Sequence, residues 1–247
     1  MIIYKSPSEI EKIKAAGALA ARTLKLIFEN IKPGITTAEL NDLAEDFIRS
    51  QDALPSFKGY NGFPASICVS VDEEVVHGIP GRRKLRQGQI IGVDVGVLKD
   101  GYHGDSAWTV GVGDVDDETQ RQLAVGEECL RRGIEQARIG KKIGDIGYAI
   151  QSYAERNGYS VVRDLVGHGI GQSLHEEPQV PHYGSANTGL ELKSGLVIAI
   201  EPMINAGEYE VRIKSDNWTV VTADSRRSVH FEHTVAVTEN GPMILTT

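Results

Sequence analysis

The sequence predicts two related α/β units that pack together within one chain of 247 residues. The first observation is a repeat. Four segments recur in the same order, and the matching pairs are 34–40 with 140–146, 76–79 with 167–170, 88–94 with 195–201, and 104–110 with 231–237. Any one match is weak, but four in one order, with an acid recurring in the last two, indicate an internal duplication. We expect a single domain over 1–247, with copies at roughly 7–115 and 116–240.

The second observation is that each unit has the pattern of two helices followed by short apolar strands. Ser6 and Pro7 predict the start of a first helix, and Thr36 or Thr37 that of a second. Two further helices are predicted at about 118–137 and 143–157 from apolar residues at helical spacing. Strands are predicted at 69–76, 90–97, 102–110, 196–201, 218–222 and 230–237.

Composition limits the classes of function. The formal net charge of −8 and the pI of about 5.4 argue against a general nucleic-acid binder, so we expect no sequence-specific nucleic-acid partner. Two cysteines cannot form a disulfide framework, which favours a reducing compartment. We find no signal peptide and no apolar run of membrane-spanning length. We therefore expect a cytoplasmic protein without a membrane partner.

Two acids interrupt neighbouring predicted strands. Asp94 lies within the apolar run 90–97, and Asp105 lies on the strand that follows the turn at Asp100-Gly101. A hairpin would bring the two carboxylates side by side, where they repel each other unless a cation lies between them. The alternative at this point is a structural pair of aspartates that accept hydrogen bonds from backbone N–H groups.

The repeat adds three more candidate ligands. Glu201 ends the predicted strand 196–201, Glu232 interrupts the strand 230–237, and His168 lies in the recurring His-Gly-Ile segment. If the halves pack about a pseudo-twofold axis, four carboxylates and one imidazole converge, which requires divalent cations. This donor set suits manganese, iron(II), cobalt or zinc better than magnesium or calcium. Bridging carboxylates predict two metal ions, as in two-metal hydrolases.

These segments resemble the type I methionine aminopeptidases over nearly the whole chain. The resemblance rests on motifs at 75–80, 93–95, 100–105, 167–171, 175–180, 200–203 and 231–234. It implies an α+β protein with the pita-bread fold, in which two pseudo-twofold-related halves surround a curved, mostly antiparallel sheet. It also implies an enzyme that removes the N-terminal methionine of nascent chains and peptides when the second residue is small. The cofactor would be two divalent ions of cobalt, manganese, iron(II), zinc or nickel.

The resemblance also implies roles for individual residues. Asp94 would bind one metal in bidentate fashion, Asp105 and Glu232 would bridge both metals, and His168 and Glu201 would complete the coordination of the other metal. A bridging water or hydroxide would attack the first peptide carbonyl, with Glu201 as general base. His175 would donate a hydrogen bond to the oxyanion, and His77 would contact the substrate backbone. For either histidine alone, a structural role in a loop is the simpler alternative.

The methionine pocket implied by the resemblance is apolar and aromatic. The expected lining residues are Phe57, Tyr60, Phe63, Cys68, Leu174 and Trp218, together with His77 and His175. Leu174 stands where many members of the family have phenylalanine, and Phe57 stands where several bacterial members have cysteine. We expect Phe57 either to narrow the mouth of the pocket or to displace the ligand.

Two rival functions fit the same fold. An X-Pro aminopeptidase or prolidase would normally carry an additional N-terminal domain, whereas a non-catalytic pita-bread protein would have lost metal ligands. All five ligand types are present here, which favours the peptidase. We expect a monomer, and the basic stretch 82–86 suggests a transient contact with the ribosome.

Overall fold

The computed structural model describes all 247 residues and contains four long helices. They are α1 (Pro7–Asn30), α2 (Thr37–Ser50), α3 (Asp117–Gln136) and α4 (Ile143–Arg156). None of them combines the length and the apolar composition needed to cross a bilayer. Ser6 and Thr36 cap the first two helices as predicted, since each accepts a hydrogen bond from the backbone N–H three residues later.

Fifteen short strands connect and follow these helices. In chain order they are β1 (Leu54–Pro55), β2 (Cys68–Val71), β3 (Glu74–Val76), β4 (Ile90–Lys99), β5 (Tyr102–Gly111), β6 (Ser160–Val161), β7 (Gly167–Gly169), β8 (Glu176–Val180), β9 (Val197–Ile200), β10 (Met203–Asn205), β11 (Val211–Ile213), β12 (Val220–Thr222), β13 (Ser228–His230), β14 (His233–Thr238) and β15 (Gly241–Ile244). One 3₁₀ turn at Tyr60–Gly62 lies between β1 and β2.

All strand pairs are antiparallel. The first sheet joins β1, β4 and β2, with β5 on the other side of β4, and the largest sheet has the order β15-β14-β9-β7-β8. Two three-stranded sheets, β13-β10-β6 and β11-β12-β3, complete the structure. The fold is therefore of the mixed α and β class with antiparallel sheets, as the sequence predicted.

The β4–β5 hairpin has the predicted turn. Asp100 and Gly101 both have positive φ, at 50° and 79°, and ten residue pairs from Ile90–Gly111 to Lys99–Tyr102 form the ladder. Two central residues with positive φ match the right-handed twist of the flanking strands. This turn therefore fixes which residues of the two strands face each other.

Two predicted strands are each divided into two. The predicted strand 69–76 is interrupted at Asp72, whose φ is 58° and whose carboxylate accepts hydrogen bonds from the Ile90 N–H and the Gln89 side chain. The predicted strand 230–237 is interrupted at Phe231 and Glu232. Both predictions of a continuous strand were wrong, because an apolar pattern does not reveal which backbone groups bond outside the ladder.

The helix pairs cover different strands. Apolar residues of α1 and α2 form one buried cluster with β2 and β4, and those of α3 and α4 form a second with β9 and β14. Close approach of α1 to the sheet depends on Gly104, where a Cβ would lie 2.4 Å from the backbone nitrogen of Gly17. The strands β5 and β14 meet between these clusters, and the candidate site lies along that seam.

Candidate metal centre

The hairpin places two aspartates on one face of the first sheet. Asp105 lies opposite Gly96, and Asp94 lies two residues before Gly96 on the same strand. Because residues opposite each other in a ladder, and residues two apart on one strand, project to the same face, the two carboxylates are diagonal neighbours. Cys68 lies opposite Asp94 and projects to this face as well.

Two glutamates lie at matching interruptions of another strand pair. Met203 pairs with His230 and Ile200 pairs with His233, so the same register continued across the gap would set Glu201 opposite Glu232. Pro202 has no N–H to contribute to a ladder, which explains why pairing stops here. The Glu232 N–H instead donates to the Ala107 carbonyl across the seam, over 2.8 Å.

Hydrogen bonds across the seam hold the two strand pairs together. Thr234 Oγ1 donates to the Asp105 carbonyl over 2.8 Å and accepts from the Asp105 N–H over 3.0 Å. Ser106 Oγ donates to the Glu232 carbonyl over 2.9 Å. The backbones that carry Asp105 and Glu232 are thus fixed relative to each other by groups other than the carboxylates.

His168 faces the acids with an unprotonated nitrogen. Its Nδ1 lies 2.9 Å from the Gly169 carbonyl, which can only accept a hydrogen bond, so the neutral ring carries its proton on Nδ1. Its Nε2 lies 3.5 Å from Glu201 Oε1, and its pKa is lowered to about 3 by burial and by nearby His175. Nε2 therefore presents a free lone pair, as a metal ligand must.

Several carboxylate oxygens at this site have no hydrogen-bond partner. Asp94 Oδ1, Asp105 Oδ1 and Glu232 Oε1 are buried and have no hydrogen-bond partner. Burial and mutual repulsion raise the pKa of Asp94, Glu201 and Glu232 well above the usual range, and burial raises the pKa of Asp105 to about 7. Buried acids without partners carry a large free-energy cost unless a cation or a proton neutralises them.

The donor set fits divalent cations. Ligand atoms of Asp105, His168 and Glu232 all lie within 4.8 Å of one another, and Asp94 and Glu201 border the same space. Carboxylates combined with a neutral imidazole suit transition metals and zinc. The unpaired oxygens of Asp94, Asp105 and Glu232 therefore suit cation binding, and no backbone N–H group satisfies them.

One cavity of about 240 Å³ joins the acids to an apolar compartment. Every residue predicted for the site lines it, and their individual roles remain predictions. The lining residues are Phe57, Tyr60, Phe63, Cys68, His77, Asp94, Asp105, His168, Leu174, His175, Glu201, Trp218 and Glu232, with Asn61, Val76, Leu165, Val166 and Met203 in addition. This volume is below the roughly 300–1,000 Å³ of sites for drug-sized ligands, so the cavity suits a group of one-residue size.

Aromatic rings form the wall away from the acids. The Phe63 and Trp218 rings meet edge to face with centroids 5.1 Å apart. The Phe57 ring lies against the backbone of Gly96, where a Cβ would come within 2.6 Å of its Cε1 atom. Glycine at this position therefore allows Phe57 to sit beside the strand that carries Asp94, and its effect on the width of the cavity remains a prediction.

Two further histidines stand at the mouth. The His175 Nδ1 atom lies 2.7 Å from the Tyr60 hydroxyl. The neighbouring side chains partly desolvate the otherwise exposed ring and lower the pKa of His175, which favours the neutral form at pH 7. His77 has a φ of 58°, which is unfavourable for a residue with a Cβ. The turn is fixed by Gly78, whose carbonyl accepts from the Val69 N–H over 2.8 Å. Backbone strain of this kind occurs often at functional sites.

The sequence did not reveal two buried histidines that flank Glu201. His182 Nε2 accepts the Glu201 N–H over 3.1 Å, and His230 Nε2 lies 3.7 Å from Glu201 Oε2. Burial lowers the pKa of both to about 3. His230 could have been predicted from the sequence, since it precedes the candidate ligand Glu232 by two residues. His182 could not, because it follows the end of β8 and lies near no candidate ligand in the sequence.

Comparisons of this chain with known proteins all point to the same family. Residues 11–239 match the model of metallopeptidase family M24. Methionine aminopeptidase 1 of Bacillus subtilis is 54% identical over 246 residues, covering 100% of this chain and 99% of that protein. The methionine aminopeptidase of Clostridium perfringens is 49% identical, again covering 100% of this chain and 99% of that protein.

Solved structures agree with these relatives. The crystal structure of methionine aminopeptidase from Rickettsia prowazekii is similar with a TM-score of 0.99 and 48% identity, and 100% of each chain is covered. A prolidase from Pyrococcus furiosus has a TM-score of 0.78 at 24% identity, covering 99% of this chain and 65% of that one, which shows a shared fold alone.

Cation binding should release protons. Since the carboxyl pKa values are raised in the metal-free protein, part of the site is protonated near pH 7, and a cation must displace those protons. We expect manganese affinity to rise from pH 6 to pH 8. Titration calorimetry at pH 7 should give apparent enthalpies that vary with the ionisation enthalpy of the buffer.

The Asp105→Asn variant should release fewer protons, whereas the exposed control Asp114→Asn should behave as the unmodified protein does. Enthalpies that are identical in all buffers would contradict the assignment of these buried acids to the cation site.

Proposed function

Because this chain belongs to metallopeptidase family M24 and has the pita-bread fold of the methionine aminopeptidases, we propose that it is a metal-dependent aminopeptidase. Its reaction is the removal of the N-terminal methionine from nascent proteins and peptides whose second residue is small. The observation that carries the proposal is the cavity in which three carboxylates with unpaired buried oxygens, those of Asp94, Asp105 and Glu232, adjoin an aromatic compartment of one-residue size.

We propose that five side chains hold two divalent cations. Asp94, Asp105, His168, Glu201 and Glu232, which all line the cavity, would be the ligands, and Asp105 and Glu232 would be shared by the two ions. The ions are cobalt, manganese, iron(II), zinc or nickel, all of which accept mixed oxygen and nitrogen ligands. When bound, such cations polarise the scissile carbonyl and lower the pKa of water.

In this proposal Glu201 moves the proton. The attacking water oxygen forms a bond to the carbonyl carbon of the first peptide, Glu201 accepts a water proton, and the proton passes to the leaving amine nitrogen as the C–N bond breaks. The products are free methionine and the shortened peptide. Backbone anchoring of Glu201 by His182, over 3.1 Å, supports a fixed orientation for this transfer.

His175 serves as the oxyanion donor. When the Tyr60 hydroxyl donates to His175 Nδ1, the neutral ring carries its proton on Nε2 and can donate it as a hydrogen bond into the cavity. A neutral donor suffices because charge develops on the carbonyl oxygen only during the reaction. His77, which also lines the cavity, is assigned to the substrate backbone beyond the scissile bond.

The aromatic compartment takes the methionine side chain. Phe63, Trp218 and Leu174 offer apolar contact, and sulfur packs favourably against aromatic rings. Phe57 lies against Gly96 and Cys68 lies opposite Asp94, so both border the strand that carries Asp94. Because the cavity is small and its remaining floor is formed by acids, a bulky second residue would have to displace the peptide from them.

Peptide substrates test the proposal directly. Manganese- or cobalt-loaded protein incubated with Met-Ala-Ser should yield a product lighter by one methionine residue in mass spectrometry. Met-Leu-Ser should react far more slowly because its second side chain is large.

An Xaa-Pro peptide serves as the control for the prolidase alternative and should remain uncut. Cleavage of Xaa-Pro in preference to Met-Ala-Ser, or hydrolysis of neither by metal-loaded protein, would contradict the assignment.

Variants of the acids test the mechanism. Glu201→Ala removes the proposed base and Asp105→Ala a proposed bridging ligand, and each should lower kcat/KM by roughly 10²- to 10⁴-fold. Circular dichroism should show both variants folded, since removing one of several repelling carboxylates relieves strain in the metal-free site.

The matched control is Glu210→Ala, which removes an exposed acid from the half that contains Glu201 and should leave activity unchanged. Near-normal turnover by either site variant would overturn the proposed roles.

We also propose that the protein acts as a cytoplasmic monomer that contacts the ribosome transiently through 82–86. Arg83 contributes less than the sequence suggested, because its guanidinium lies 3.2 Å from Glu74. Arg82, Lys84 and Arg86 are exposed. Replacing these three by glutamate should reduce co-sedimentation with ribosomes at low salt, since such contacts depend on charge.

A control with Lys14, Lys25 and Lys193 replaced by glutamate has the same net charge and should sediment as the unmodified protein does. Equal co-sedimentation of both triple variants would exclude a specific role for 82–86.

A further inference from the structure

A lysine near the start of the chain is buried beneath the loop that carries His175. The Lys5 side chain is 2% exposed and forms an ion pair with Glu176, whose side chain is 7% exposed. Lys5 Nζ also donates to the Ile3 carbonyl over 3.0 Å. Lysine and glutamate are almost never buried to this degree unless they are paired.

The segment around Lys5 fits closely into its surroundings. The Lys5 N–H donates to the Gly195 carbonyl over 2.7 Å. A Cβ on Gly171 would lie 2.6 Å from both Lys5 Cε and Glu176 Oε1. Two glycines therefore make room for the lysine, Gly195 beside its backbone and Gly171 beside its side chain, and Lys5 has little freedom to move.

The ion pair acts where the loop 170–175 joins β8, at the residue next to His175. Glu176 Oε1 also accepts a hydrogen bond from the Ser173 N–H over 3.3 Å. The Glu176 carboxylate therefore contacts both Lys5 and the backbone of the loop that carries His175. The exposed His175 side chain has one hydrogen-bond partner, the Tyr60 hydroxyl. Glu176 is also the first residue of β8 and pairs with Gly169. Strand pairing and the buried ion pair therefore act together on the residue next to His175.

We propose that Lys5 is a positioning residue for the reaction, which through its buried ion pair with Glu176 holds the His175 ring at the mouth of the cavity. The proposal rests on the oxyanion role assigned to His175 under the proposed function. If one partner is removed, the other is left as an uncompensated buried charge, and the most direct relief is for Glu176 to turn toward water. That movement carries His175 away from Tyr60 and the cavity.

Kinetics of two variants test the proposal. Lys5→Met and Glu176→Gln should each lower kcat for Met-Ala-Ser by roughly 10- to 100-fold, as expected for a misplacement of about 1 Å. KM should change by less than about twofold, because the methionine compartment is untouched. The control Lys14→Met removes an exposed lysine from α1 and should change neither constant.

The His175→Ala background separates positioning from general damage. Lys5→Met should lower kcat no further there, because the group that it positions is already absent. Equal losses in both backgrounds, or unchanged kcat in the folded single variants, would overturn the proposal. If Lys5→Met does not fold, Glu176→Gln gives the same test, since the amide keeps the shape and removes only the charge.

A spectroscopic measurement remains decisive even if peptidase activity is absent. The ¹⁵N shifts of the His175 ring report which nitrogen carries the proton and whether Nδ1 accepts the Tyr60 hydrogen bond. Lys5→Met and Glu176→Gln should shift these signals toward a mixture of tautomers, whereas Lys14→Met should not. Unchanged His175 shifts in folded variants would overturn the positioning role, whereas failure of the unmodified protein to cleave any peptide would instead contradict the proposed function.

Discussion

The repulsion among four buried carboxylates is the constraint on which the rest of this structure depends. Burial raises the pKa of all four carboxyl groups, and the charge of Asp105 raises the pKa of Asp94, Glu201 and Glu232 further. A fold can maintain such an arrangement only if other groups hold the backbone and cations neutralise the charge. Hydrogen bonds of Thr234 and Ser106 across the seam hold the backbone. The unpaired carboxylate oxygens and the His168 lone pair are the ligand atoms suited to such cations.

The arrangement follows from simple β-sheet geometry. A tight turn at Asp100 and Gly101 sets the register that puts two aspartates on one face, and Pro202 ends a ladder where two glutamates are opposite each other. Each half contributes a helix pair, a segment with His-Gly-Ile and two acids. We propose that the halves arose by duplication, because the same elements occur in the same order on both sides of the seam.

Features that depend on local sequence could be predicted. The Ser6 cap, the turn at Asp100 and the presence of acidic residues within apolar segments can all be recognised from the sequence, because each depends on a few neighbouring residues. The breaks at Asp72 and Phe231 were not predicted, since they result from hydrogen bonds to distant backbone. The placement of His182 beside Glu201 likewise depends on how β8 and β9 lie across the sheet, which periodicity does not encode.

The most direct test of the central claim is anomalous diffraction from crystals of the protein grown with manganese, with data collected on both sides of the manganese absorption edge. Two peaks should appear among Asp94, Asp105, His168, Glu201 and Glu232, with the Asp105 and Glu232 carboxylates between them. Peaks elsewhere on the surface with none among these five side chains, at saturating manganese, would contradict the account.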